Sequence, residues 1–213
     1  MHVIKKIKKN ILNIFSKKEI LSEEIFYGFK EKKKIVTYVP EDHADKLMSE
    51  MSKAGAGKIG NYEMCSFRIQ GTGTFMPGAK ATPFKGQKNK ISFEEEIRFE
   101  MECDTGKLNG VLDVMLKHHP YEEVAYEIHN FFKRGNESLG IIITLKKKLS
   151  LSGFLNKMNT KINSSESDDE ISIGKIAFTN VSADKDIIRS AEILECDYLI
   201  TVLKNKFNLY KII

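Results

Sequence analysis

A chain of 213 residues, 41% of them hydrophobic and 30% charged, is long enough to bury a real core without disulfide or metal staples. Its three cysteines, Cys65, Cys103 and Cys196, are odd in number and far apart, which excludes a disulfide framework and any Cys-x-x-Cys motif and favours a reducing cytoplasm. The net charge of +5 does not announce nucleic acid, because ten lysines against four glutamates within residues 1–35 account for more than the whole excess.

Residues 1–35 read as a basic N-terminal segment, helical in character. Val3, Ile4, Ile7, Ile11, Leu12, Ile14 and Phe15 recur near helical spacing, with lysines on the other face. Such a stripe suits contact of residues 1–20 with an anionic membrane surface, or packing on the protein's own body; the second is expected. No apolar run approaches the ~20 residues of a spanning helix, and an uninterrupted signal-peptide core is absent, so a soluble protein is expected.

From Lys34 a regular alternation begins. Ile35–Val39 reads as a short buried strand ended by Pro40, and Ala44, Leu47, Met48 and Met51 form one helix face closed by the glycines of Gly55–Gly57. Tyr62–Gln70 reads as a strand, followed by a long turn-rich excursion marked by Gly71, Gly73, Pro77, Gly78 and Pro83. Ile91, Phe93, Ile97, Phe99, Met101 and Cys103 then alternate with Glu94, Glu96, Arg98, Glu100 and Glu102, the pattern of a half-exposed antiparallel strand. A second helix places Leu108, Val111, Leu112, Met115 and Leu116 on one face, and Glu123–Phe131 returns as a strand. The order β-α-β-β-α-β over residues 36–132 is that of a ferredoxin-like α+β sandwich.

Residues 133–213 read as a second, partial α/β unit. Leu149–Met158 is a short helix, residues 163–170 an acidic loop with nothing to bury, Ile171–Phe178 a strand, Asp184–Glu195 a helix and Tyr198–Leu203 a strand. One βαβ crossover has too few strands to stand alone.

Two stretches look like chemistry. Gly55, Gly57 and Gly60 match the dinucleotide fingerprint in letters, but they follow a helix and open a strand, the reverse of what pyrophosphate binding requires; a helix cap and tight turn are expected. His118, His119, Glu122 and Glu123 have the inventory of a metal or acid/base site. Adjacent side chains diverge, however, and histidine at a helix C-terminus has a structural role to fill. His43 is expected to be exposed, and Cys65 to be core rather than nucleophile.

Four ordered motifs carry a resemblance: VPEDHADKLMSEMSKAGAGKIGNYEMCSF from Val39, GTGTFMPG from Gly71, EEIRFEMEC from Glu95 and HHPYEEVAYEI from His118. Together they resemble the PII-like, CutA-like insert domain of the Nif-three family of dinuclear-metal-centre proteins, the GTP cyclohydrolase I type 2 homologues. The resemblance spans residues 36–132 and implies a ferredoxin-like module. LGIIITLKKKLSLSGFLNKM, IGKIAF and CDYLIT resemble, more weakly, the family's return into its metal-binding body.

The family's front lobe, with its histidine pair and aspartate ligands, has no counterpart in the 35 residues before the insert. Its late ligands are likewise absent where Thr201 is followed by Val202, Leu203 and Lys204 and the chain stops at Ile213. The pair His118-His119 sits in the insert, so no residue inherits a metal-ligand role; His118, His119 and His43 stay weak metal candidates.

The expectation is therefore a non-enzymatic, oligomeric binding or regulatory module, a trimer or hexamer by analogy with related domains, with no cofactor and no nucleic-acid partner. A small-molecule or ion ligand is expected between the Gly71–Gly78 loop and the His119–Glu123 corner. His119, Glu122, Glu123, Asn61, Tyr62, Gly71 and Gly73 are its candidate contacts. The alternative is a metal-dependent hydrolase of the cyclohydrolase type, with a divalent metal held by His118, His119, Glu122, Glu123 and His43 across an interface.

Overall fold

The computed structural model describes residues 2–158, 172–203 and 206–212; the acidic loop 163–170 lies outside them. In chain order the elements are α1 (His2–Ile14), β1 (Ile20–Pro40), α2 (Glu41–Lys53), β2 (Phe67–Phe75), β3 (Ser92–Asp104), α3 (Leu108–His118), β4 (Tyr126–Ser150), α4 (Leu151–Lys157), β5 (Ser172–Thr179), α5 (Lys185–Ile193), β6 (Tyr198–Leu203) and β7 (Lys206–Lys211). This is a mixed α/β fold. It divides into two compact units, one of Glu31–Phe132 and one of the residues up to Lys30 together with those from Lys133 onward. Among the described residues no helix is long and apolar enough to cross a membrane.

In the unit Glu31–Phe132 the strands neighbour one another in the order β2-β3-β1-β4, with β3 antiparallel to both β1 and β2. Alternation sorts the strands into faces. Ile35 lies opposite Met101 and Val39 opposite Ile97, and that face is covered by Leu47 and Met51 of α2 and Val111 and Met115 of α3. Phe99 and Leu47 are fully buried at its centre, each such side chain contributing roughly 1.5–3 kcal/mol.

The end of α2 explains its glycines. Gly55 (φ 108°) and Gly57 (φ 68°) turn the chain back toward β3, where the Gly57 N–H donates to the Glu102 carbonyl at 2.7 Å. An added Cβ at Gly57 would lie 2.8 Å from the Cys65 carbonyl oxygen, so both backbone angle and space demand glycine there. Gly55, Gly57 and Gly60 thus follow a helix and build a cap and turn.

The other unit holds strands in the order β1-β4-β5-β6-β7, with β5 and β6 parallel across the α5 crossover and the β4–β5 and β6–β7 pairs antiparallel. Ile141, Ile143, Ile176, Phe178 and Ile200 face α1 and α4, while Ile142, Ala177 and Leu199 face α5. Both faces are covered, which accounts for the unbroken apolar run Ile141–Ile143. Asp184 caps α5 by accepting the Ile187 N–H at 2.9 Å.

Several expectations need correction. Residues 1–35 are not one helical segment: helix ends at Ile14, and Ile20–Pro40 is a single strand of which Ile35–Val39 is only the last part. Lysines and glutamates on its exposed positions disguised its alternation. Part of the apolar stripe of α1 packs on its own unit, with Ile7, Ile11 and Phe15 buried and Ile4 and Ile14 against them, while Leu12 is exposed. β2 is Phe67–Phe75 rather than Tyr62–Gln70, so Gly71 and Gly73 lie within a strand, and Cys65 is half-buried in the loop before it. Ile91, Phe93 and Leu116 are exposed. The βαβ piece is not short of strands, because β1, β4 and the unanticipated β7 complete its sheet.

Candidate functional site

The site begins where α3 ends. Pro120 cannot continue a helix, and His119 already has extended backbone (φ −71°, ψ 138°), its N–H closing the last turn onto the Met115 carbonyl at 2.9 Å. The side chain then turns inward, leaving His119 only 7% exposed. Its Nδ1 accepts the Tyr121 N–H at 3.2 Å, so the ring proton sits on Nε2, which donates to the Tyr38 carbonyl at 3.1 Å. Burial pushes the His119 pKa down despite that carbonyl, and a protonated His43 would push the same way.

Tyr121 stands edge-on to His119, ring centroids 5.1 Å apart, and against Phe84 at 6.1 Å; Phe84 in turn meets His43 at 5.4 Å. The Tyr121 hydroxyl donates to Glu96 Oε1 at 2.7 Å. Burial and that carboxylate together hold the phenol well above its ordinary pKa. Glu96 lies over β2 because residue 73 is glycine: a Cβ there would overlap the Glu96 carboxylate. Glu122 accepts the Thr82 N–H at 2.8 Å, tying the segment after β2 to the corner.

Between these parts lies a cavity of about 520 Å³, wholly within Glu31–Phe132. The stretches Gly73–Gly78 and Ala81–Lys85 form one side and Tyr121–Glu123 the other, with Tyr38, Glu96 and Ala125 completing the lining. Its walls are mostly apolar and aromatic, carrying the carboxylates of Glu96, Glu122 and Glu123 and one ammonium, Lys85. The Lys85 ammonium is 3.0 Å from Glu94, and that hydrogen bond raises its pKa. The Tyr38 hydroxyl donates to Glu127 at 3.1 Å, raising the pKa of that phenol as well.

Of the residues singled out from sequence, Gly73, Glu122 and Glu123 line this cavity. Gly71 sits in β2 away from it. Asn61 and Tyr62 lie in an exposed turn, with Tyr62 75% exposed, and do not reach it. His119 is buried behind Tyr121 with both ring nitrogens engaged, and His43 pairs with Asp42 at 2.9 Å. Among the described residues no three His, Cys, Asp or Glu side chains are placed to hold a metal ion. Burial pushes the Cys196 thiol up to about 12 and raises that of Cys103, so neither is a ready nucleophile. Sequence reasoning missed Tyr38, Phe75, Phe84, Lys85, Glu96 and Tyr121. The available signal was Glu96 two residues from Glu94 on a strand facing Gly71 and Gly73, where missing side chains leave room above the sheet.

No protein-family model matches the chain. It is 42% identical over 108 residues to the GTP cyclohydrolase 1 type 2 homolog of Halalkalibacterium halodurans, covering 51% of this chain and 29% of that protein. It is 37% identical over 123 residues to the GTP cyclohydrolase 1 type 2 homolog of Bacillus subtilis, covering 57% and 33%. The matched segments thus span about a third of these curated relatives. The solved structure of a Bacillus cereus protein related to NIF3 is 27% identical, with 92% of this chain and 52% of that one covered and a TM-score of 0.44. In the segment that it shares with these relatives, the chain is similar to the GTP cyclohydrolase 1 type 2 homologues of the Nif-three family.

Proposed function

We propose that the chain is a non-enzymatic, oligomeric binding module of the Nif-three type, and that its ligand occupies the cavity between the Gly73–Lys85 stretch and the Tyr121–Glu123 corner. The observation that carries this reading is the contrast at that corner: an open, mostly apolar cavity stands beside a histidine whose two ring nitrogens are spent on backbone groups. A preformed apolar cavity with a few convergent polar groups is what small-molecule sites look like. A histidine that must break two hydrogen bonds and leave its burial is a poor ligand for a metal.

The unit Glu31–Phe132 is read as a ferredoxin-like domain of the PII and CutA kind, supported by its β-α-β-β-α-β order, its strand order β2-β3-β1-β4 and two helices on one sheet face. Assembly into a trimer or hexamer is supported by β2, an edge strand carrying exposed Phe67 and Ile69. A cytoplasmic setting accords with three free cysteines.

Incubation of the full chain with GTP and Mn²⁺ or Zn²⁺ tests the reading against the hydrolase suggested by the relatives' name. No turnover is expected. Turnover that disappears in His119→Ala, with folding retained, would replace the binding module by a metal-dependent hydrolase. Mass in solution is expected at three or six chains; a monomer would remove the oligomer from the proposal.

A further inference from the structure

We infer that the cavity takes an organic cation with an apolar body, its ammonium set against Glu96 and the surrounding aromatic rings; this rests on the reading of the cavity as the ligand site. The first support is charge. Among the described residues that line the cavity, Glu96, Glu122 and Glu123 stand against Lys85 as the one cationic side chain, and Lys85 is already held by Glu94, which does not line it. An anionic ligand would meet repulsion there, whereas a cation meets complementary potential.

The second support is Glu96 itself. One carboxylate oxygen accepts the Tyr121 hydroxyl, and among the described residues the other has no hydrogen bond. The side chain is half-buried, so part of its hydration is lost and a cation in the cavity would compensate it. Gly73 provides the room in which that carboxylate lies.

The third support is aromatic. Tyr38, Phe75, Phe84 and Tyr121 all contribute to the lining, and both tyrosine hydroxyls donate to carboxylates, which leaves their rings electron-rich. Ring faces attract weakly hydrated cations, and the apolar lining residues Met76, Pro77, Ala81 and Pro83 accommodate the rest of such a molecule. A small divalent ion is the wrong occupant: it needs several oxygens converging at bonding distance, and no such group exists among the described residues.

Titration calorimetry of the full chain with benzyltrimethylammonium, benzyl alcohol and benzoate tests this. The cation is expected to bind at least about tenfold more tightly than the alcohol, and benzoate most weakly. Glu96→Gln keeps a neutral acceptor for Tyr121 and should still fold, with at most a small fall in melting temperature, yet it should lose roughly tenfold toward the cation and little toward the alcohol. Equal affinities for cation and alcohol, or tightest binding of benzoate, would overturn the inference while leaving the cavity as a ligand site. Failure of all three to bind would also overturn it; the GTP and metal assay then judges the binding-module reading separately.

Discussion

The Tyr121 hydroxyl reaches the Glu96 carboxylate at 2.7 Å across a space left free by Gly73 on the neighbouring strand. That relationship joins the corner after α3 to β3 and shapes the cavity wall. Gly73→Ala should therefore swing the flexible Glu96 side chain away and break the bond, at a cost of about 1.5–3 kcal/mol for a hydrogen bond to a charged group. A difference titration of phenolate absorbance should find one tyrosine ionising at lower pH than in the wild type. Burial would still hold it above the ordinary value, since burial is the larger cause. Identical titrations would show that the carboxylate is not held over Gly73.

Acid should weaken the fold through His119. Its folded pKa lies below the ordinary 6.5, so the unfolded chain takes up the proton first. The contribution is fully present above about pH 6.5 and is lost as pH falls below that value toward the folded pKa. Urea unfolding at pH 7.5 and at pH 5 should show a drop that is smaller in His119→Gln, although the variant starts less stable by about 1–3 kcal/mol. An unchanged drop in the variant would assign the effect elsewhere.

Two glycines of the turn after α2 separate backbone strain from crowding. Gly57 (φ 68°) and Gly60 (φ 59°) share a left-handed conformation, but only Gly57 has neighbours that an added Cβ would strike. Gly60→Ala should cost roughly 1–2 kcal/mol, the price of the left-handed region for an L-residue. Gly57→Ala should cost about 2–4 kcal/mol, because overpacking against Cys65 and Met101 is added. Equal losses in denaturant midpoint would contradict the packing described for this turn.

A second acid effect belongs to the other unit. Glu19 is held down to about 2, chiefly by its hydrogen bond from Lys157 and then by those from Ser16. A depressed carboxylate stabilises above its unfolded pKa of about 4.5 and loses that contribution as pH falls toward 2. The ion pair is more than a third exposed at Glu19, so solvent screening keeps the effect small. Glu19→Gln should flatten the acid limb slightly in a melt series from pH 5 to pH 2.5; a steeper limb would contradict the pairing.

The sequence was legible wherever burial enforced a period. Ile97–Cys103 and the α2 face follow directly from alternation and helical spacing, because a one-residue slip would expose a core side chain, and Tyr198–Leu203 follows from a short continuous apolar run buried on both faces. It was illegible along the N-terminal part of β1, where surface lysines and glutamates mask the strand, and at β2, where exposed glycines resemble a loop. The corner from His119 to Glu123 was located by its motif, but its roles were not. Whether a histidine faces a cavity or the backbone depends on a partner such as the Tyr38 carbonyl, 81 residues away. Tyr121 and Glu96 escaped for the same reason, each being unremarkable until the fold brings them together.

The central claim is that this chain binds a ligand in a cavity rather than a metal at its histidine pair. The most direct measurement is the metal content of the full chain purified without a histidine tag, set against its protein concentration. The account predicts far less than one zinc, iron or manganese per chain, with the same trace in His119→Ala. One metal ion per chain in the wild type, absent from a folded His119→Ala, would contradict it.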